Sequence, residues 1–290
     1  MNQAAQLAPP GLPGISPDVY GAADFEAVAG IVHADAGIVL PPGKAMLVYS
    51  RLAPLVRTTG SMTFAAYIER LRRDDEERRR AVSALTTNHT YFYREAHHFL
   101  HFAEQVRPAL LARLNAGQPV RLWSAGCSSG EETWSLVLTL LGEDRAEGKR
   151  IAGRNLRVLA SDIAAHALHR ASAATYPAGE LKDVPAVLRD HWTRTDGDTA
   201  TIADEARALV RFRTLNLQGE WPMQRRFDAI FCRNVMIYFD QPTKERLVAR
   251  FAEALVPGGH LYIGHSERVT GPAAAELAAV GPTIYRRRAA

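Results

Sequence analysis

A chain of 290 residues, 47% hydrophobic and 23% charged, can bury a full core as one large domain or two smaller ones, so an ordinary globular protein is expected. The formal charge of +4 is evenly spread, with 11 Lys+Arg against 11 Asp+Glu in residues 1–110 and 24 against 20 in 111–290, which argues against a basic arm for nucleic acid. No run approaches the roughly 20 apolar residues that span a bilayer, and the start MNQAAQLAPPGLPGISPDVYGA lacks a signal peptide's basic and apolar regions; a cytoplasmic protein with no membrane insertion is expected.

Residues 1–22 hold four prolines and three glycines with little periodicity, the composition of a disordered tail. From Asp24 the pattern turns helical: DFEAVAGIVHADAG puts Phe25, Val28, Ile31 and Val32 on one face and ends at a C-capping Gly37. A second helix is expected around KAMLVYSRLA, ended or kinked by Pro54, and a third around TFAAYIERLRR, giving a helical domain over 23–85. In RLRRDDEERRR (70–80), Asp74, Asp75 and Glu76 stand four residues before Arg78, Arg79 and Arg80, a spacing for ion pairs on an exposed helix.

Residues 86–118 read as a linker and helix. From Pro119 strand-like and helical runs alternate, the sign of a parallel sheet with crossover helices over 119–290. VRLWSAG, LRVLASD, FDAIFCR, HLYIGHS and TIYRRR read as strands. EETWSLVLTLLG, IAAHALHRAS and PTKERLVARFAEAL read as helices, the last closed by Pro257-Gly258-Gly259. HWTRT, TATIAD and ALVRFRT, around the turn Asp196-Gly197-Asp198, suggest a small antiparallel insertion over about 177–215. Cys127 and Cys232 lack the paired spacing of a zinc site and are expected to be buried free thiols.

The loop SAGCSSGEETWS (124–135) follows the first strand. A phosphate-cradling loop needs two glycines five apart and then Lys-Ser/Thr, whereas Gly130 leads into Glu131 and Glu132, which would repel a triphosphate. Gly126 and Gly130 also miss the G-x-G-x-x-G spacing that lets a backbone approach a pyrophosphate. A nucleoside cofactor with a positive charge and no phosphates fits better, S-adenosylmethionine being the common example. The second strand ends in Ser161-Asp162, where an acid can hold both ribose hydroxyls. A structural turn with a helix-capping acid is the plainer alternative.

Three further stretches, ALTTNHTYFYREAHHF (84–99), FDAIFCRNVMIYFD (227–240) and GHSE (264–267), together with the loop and ASDI (160–163), resemble the CheR family of chemotaxis receptor methyltransferases. The likeness covers nearly everything from Asp24 to Arg286. It implies a class I S-adenosylmethionine-dependent methyltransferase fold, a Rossmann-like mostly parallel sheet with an N-terminal helical domain and an inserted antiparallel β-subdomain. It also implies a protein-glutamate O-methyltransferase that modifies chemoreceptor cytoplasmic helices, a monomer whose product cofactor is S-adenosylhomocysteine. By the same resemblance Asn88, Thr90 and Arg94 reach the cofactor, Gly126 belongs to its loop, Glu132 receives the methionine ammonium and Asp162 the ribose. Asn216 and Leu217 frame the adenine, Arg233 and Asn234 lie beside the reacting centre, and Arg94 and Tyr238 position the substrate carboxylate and the methyl group.

His97 and His98, adjacent on a helix, point about 100° apart with no third ligand evident, so no metal is expected. The family's Glu-Glu-Pro-Tyr is here Glu-Glu-Thr133-Trp134. RTDGDTAT carries a single glycine where pentapeptide-tethering members have a longer glycine-rich loop, so no binding of a receptor C-terminal pentapeptide is expected. In the family the front domain's second helix meets an acidic receptor helix with a basic face, and here residues 43–57 offer only Lys44, Arg51 and Arg57, without an acid. A methyltransferase for amines and a ligand-sensing regulator are the competing readings.

Overall fold

The computed structural model describes Ser16 and residues 18–289, and the chain divides into two compact units, 1–87 and 88–290. Among the described residues no helix is long and apolar enough to cross a membrane. Most of the tail expected over 1–22 lies outside the described residues. Its last part is ordered: Tyr20 is buried, with ring centroids 5.5 Å from Tyr49 and 4.5 Å from Phe64.

The first unit holds α1 (Ala22–Ala36), α2 (Ala45–Thr58), α3 (Phe64–Arg73) and α4 (Asp75–Leu85). Gly37, at φ +72, caps α1 with its N–H on the His33 carbonyl, and Phe25, Val28 and Val32 are buried. Pro54 lies inside α2 and does not end it: a proline forfeits one N–H bond, and buried Val56 beyond it carries the helix on to Thr58. The charge run is two helices and a break, and this changes its pairs. Asp74 caps α4 by accepting the N–H groups of Glu76 and Glu77, so Arg78 turns to Asp75 and Asp35, and Arg80 to Glu77 at 2.7 Å. Glu77 is buried because the Tyr67 hydroxyl also donates to it, at 2.7 Å.

The second unit opens with turns over 92–96, then α5 (His97–His101) and α6 (Arg107–Asn115), joined by a π-helical turn. It continues through β1 (Val120–Ala125), α7 (Glu131–Leu141), α8 (Arg145–Ala152), β2 (Leu156–Asp162), α9 (Ala165–Ala173), β3 (Thr175–Pro177), α10 (Ala186–Trp192), β4 (Thr193–Asp196), β5 (Thr199–Ile202) and α11 (Asp204–Arg207). It ends with β6 (Val210–Thr214), β7 (Phe227–Cys232), α12 (Gln241–Ala254), β8 (Leu255–Ile263), β9 (Leu277–Gly281) and β10 (Ile284–Arg287). Seven strands form one sheet in the order β6-β2-β1-β7-β8-β10-β9. The first five run parallel, and β10 is antiparallel to both neighbours. β1 and β7 are almost wholly buried, as central parallel strands covered on both faces must be.

The antiparallel insertion exists, and HWTRT and TATIAD supply two of its strands as expected, β4 and β5; the third differs. Its order is β3-β5-β4, over Thr175–Ile202, whereas VRFRT is β6, the edge of the main sheet, paired parallel with β2. An edge strand with one exposed face alternates like a strand of a small antiparallel sheet, and so the two were confused. α12 ends at Ala254, and Pro257-Gly258-Gly259 lie in β8. Cys127 and Cys232 are free and buried, which pushes both thiols well up.

Candidate functional site

The sheet's order reverses beside β1, which pairs with β2 on one side and β7 on the other, and open α/β sheets bind ligands outside the carboxyl ends of strands at such a point. Leaving β1, the chain turns through Gly126 at φ +76 and Gly130 at φ +98 into α7. A Cβ on Gly126 would collide with the Val235 side chain, so the loop lies close against the segment after β7. Asp162, the last residue of β2, holds the loop by accepting the Ser128 N–H at 2.8 Å through Oδ2. Its Oδ1 accepts the Ala164 N–H at 2.8 Å and so sets the start of α9. Burial pushes the Asp162 carboxyl above the ordinary range against the pull of these amides.

Glu132 sits in the first turn of α7, where a helix N-terminus favours a carboxylate. It is buried. The Ser124 hydroxyl donates to Oε1 at 2.8 Å, and Arg233 Nη1 lies 3.4 Å from Oε2. Burial raises its pKa, while Arg233 and Ser124 pull it down. Its neighbour Glu131 is occupied by the Ser129 hydroxyl at 2.8 Å and by Arg170 at 3.6 Å. Arg233, just past β7, is itself buried between two acids: Nη2 is 3.5 Å from Glu95 Oε2 and donates to the Arg94 carbonyl, while Nε keeps no partner.

Asn88 and Thr90 cap no helix. Asn88 Nδ2 lies 2.9 Å from His166 Nε2 on α9, and the Asn88 carbonyl accepts the Ser128 hydroxyl at 3.2 Å. Thr90 is half-buried in the same segment. The Arg94 guanidinium donates to the His89 carbonyl at 3.0 Å and lies over the Tyr91 ring; it pairs with neither Glu95 nor Glu104. Asn216 and Leu217 follow β6, tied to β2 by the Leu215 N–H on the Asp162 carbonyl at 3.0 Å. The Leu217 carbonyl accepts from Arg250 at 2.6 Å. Asn234 takes a left-handed φ of +59, and its Nδ2 donates to Glu95 Oε1 at 3.3 Å; Tyr238 ends the short turn Met236–Tyr238, half-buried.

One network thus joins Asn88 and Asp162 through Ser128, and another joins Glu132, Asn234 and the Arg94 backbone through Arg233 and Glu95. Ser128 and Glu95 escaped the sequence reading. Both lie inside the motifs, yet their hydrogen-bond partners are 34 to 170 residues away, beyond any local pattern. Glu95 also supplies the third group missing from the His97–His98 pair, with ligand atoms of all three within 4.8 Å. A dication there would sit against the Arg233 guanidinium, which already neutralises the same carboxylate oxygen. Burial first, then Arg233 and His97, push His98 down to about 3, so the imidazole is neutral.

These residues fit S-adenosylmethionine. Gly126 lets the loop close on the segment after β7, and two buried carboxylates, Asp162 at the end of β2 and Glu132 in the first turn of α7, are acceptors of the kind a diol and an ammonium require. The family model described as "CheR methyltransferase, SAM binding domain" matches residues 88–283, and "CheR methyltransferase, all-alpha domain" matches 23–86. A probable chemotaxis protein methyltransferase of Rhizobium etli is 41% identical over 262 residues, 88% of this chain and 96% of that protein. Chemotaxis protein methyltransferase 2 of Pseudomonas aeruginosa is 38% identical over 271 residues, 92% of this chain and 93% of that protein. The Escherichia coli chemotaxis protein methyltransferase is 37% identical over 252 residues, 84% of each chain. The chain belongs to the CheR methyltransferase family, S-adenosylmethionine-dependent enzymes with a class I methyltransferase fold and an all-α front domain.

Proposed function

We propose that the chain esterifies glutamate side chains on the cytoplasmic helices of chemoreceptors, as part of chemotactic adaptation. The observation that carries this reading is the presence of two buried carboxylates, Asp162 at the end of β2 and Glu132 in the first turn of α7, with the Gly126 loop leading from β1 into that helix. S-adenosylmethionine, when bound, supplies a sulfonium methyl group open to in-line displacement. Glu132 takes its ammonium, Asp162 the ribose hydroxyls, and Asn216 and Leu217 the adenine, with Asn88, Thr90, Arg233 and Asn234 completing the contacts. A substrate glutamate, with a reference pKa of roughly 4.3, arrives ionised and needs no general base. The chain's task is therefore alignment: Arg94 draws the substrate carboxylate in, and Tyr238 aims it at the methyl group.

Transfer of labelled methyl from S-adenosylmethionine to receptor cytoplasmic fragments, with release of the label by mild alkali, tests the reading. Alkali-stable label would point to an amine acceptor. Absence of label with the cofactor bound would point to a sensor. Recognition of the receptor C-terminal pentapeptide forms no part of the proposal, because the β4–β5 connection is a tight turn over Gly197 and Asp198. Calorimetry with that peptide should register no binding.

A further inference from the structure

The turn after β8, Gly264-His265-Ser266-Glu267, holds a buried carboxyl group with no role in binding the cofactor or the substrate carboxylate. Glu267 is 4% exposed, and among the described residues no cation pairs with it. Its carboxylate is satisfied by main-chain N–H groups instead: Gly264 at 2.6 Å and Asn234 at 3.1 Å on Oε2, and Ile237 at 3.2 Å on Oε1. Two of the three donors belong to the segment after β7, the third to the end of β8. A buried carboxylate is costly unless several donors surround it, and an apolar residue would fill the space without fixing those amides.

The backbones meet closely at the same point. A Cβ on Gly264 would lie 2.7 Å from the Asn234 nitrogen, and Asn234 itself is held in a left-handed conformation. A second tie grips the Asn234 side chain: Glu95 Oε1 accepts from Asn234 Nδ2 at 3.3 Å and meets His265 Nδ1 at 2.9 Å. The turn therefore holds Asn234 by main chain and by side chain.

We propose that Glu267 is a positioning residue for methyl transfer, its carboxylate clamping the Asn234–Tyr238 turn to the end of β8 so that Asn234 and Tyr238 face the crevice in a fixed arrangement. Its link to turnover rests on the reading of Tyr238 above; the clamp itself does not. Glu267→Gln keeps the shape but sets an amide group among three N–H donors. Amide hydrogen exchange should quicken at Asn234 and Ile237 while the strands β1 and β2 keep their protection. Turnover should fall about tenfold or more, the scale of a misplaced reacting group. In a Tyr238→Phe background the same substitution should cost far less, since both changes act on one group.

Unchanged exchange at Asn234 and Ile237 would overturn the clamp, and losses that simply multiply in the double variant would overturn its action through Tyr238. If Tyr238→Phe alone keeps full turnover, the reading of the site fails and the exchange rates by themselves uphold or overturn the clamp. Should Glu267→Gln not fold, Glu267→Asp retains the charge, draws it back by one methylene and carries the same expectations.

Discussion

Asp162 shows how one side chain can shape a site from beneath. Its two oxygens each accept a backbone N–H, from Ser128 and Ala164, so it fixes the glycine loop and the start of α9 together. Asp162→Asn turns one acceptor into a donor facing an N–H. The expected cost is about 1–3 kcal/mol of stability, by urea unfolding, with weaker binding of S-adenosylhomocysteine by calorimetry. Glu95 acts through charge. Burial alone would raise its pKa, but His265, Arg233 and Asn234 outweigh burial and bring it to about 2. A carboxyl depressed in the folded state adds stability above its ordinary pKa and loses it as pH falls toward the folded value. Between pH 5 and about 2 the wild type should therefore lose more stability than Glu95→Gln, read from melting temperatures across that range.

At the level of elements, the packing of α7 explains Trp134. The Trp134 indole is buried, donates to the Ala171 carbonyl at 3.2 Å and packs edge-on against Phe212, so it ties α7 to α9 and β6. Trp134→Ala should cost about 3–5 kcal/mol in chemical denaturation, the usual range for emptying a large aromatic site. Elements buried on both faces, such as VRLWSA and FDAIFC, were legible because their apolar runs have one natural reading. β9 was missed because LAAVG is short, alanine-rich and on the edge, with little strand propensity. Asp162 stands out in the sequence from its place at the end of a strand, and Glu132 from the motif that carries the family resemblance. Glu95, Ser128 and Glu267 do not stand out, since their partners, side chains for Glu95, the Asp162 carboxylate and the Asn88 carbonyl for Ser128 and main-chain amides for Glu267, are brought near only by the fold.

At the level of the molecule, every candidate cofactor residue falls in the second unit, which begins at Asn88, and their hydrogen bonds close within it. A unit of about 200 residues is large enough to bury its own core, and this one is built on a seven-stranded sheet. The front unit contributes charge of a specific kind. Arg51, counted from the sequence with Lys44 and Arg57, is spent internally: its Nη1 donates to the Thr86 carbonyl at 2.5 Å and closes the end of α4. Lys44 and Arg57 remain exposed. A fragment of residues 88–290 should therefore bind S-adenosylhomocysteine with nearly full affinity in calorimetry yet methylate receptor fragments poorly. In the full chain, Lys44→Glu with Arg57→Glu should raise KM for the receptor, most at low salt, where exposed charges are least screened, and leave cofactor affinity unchanged. Loss of cofactor binding in the fragment would mean that the front unit helps to build the site, and that reading would replace the division of labour proposed for the two units.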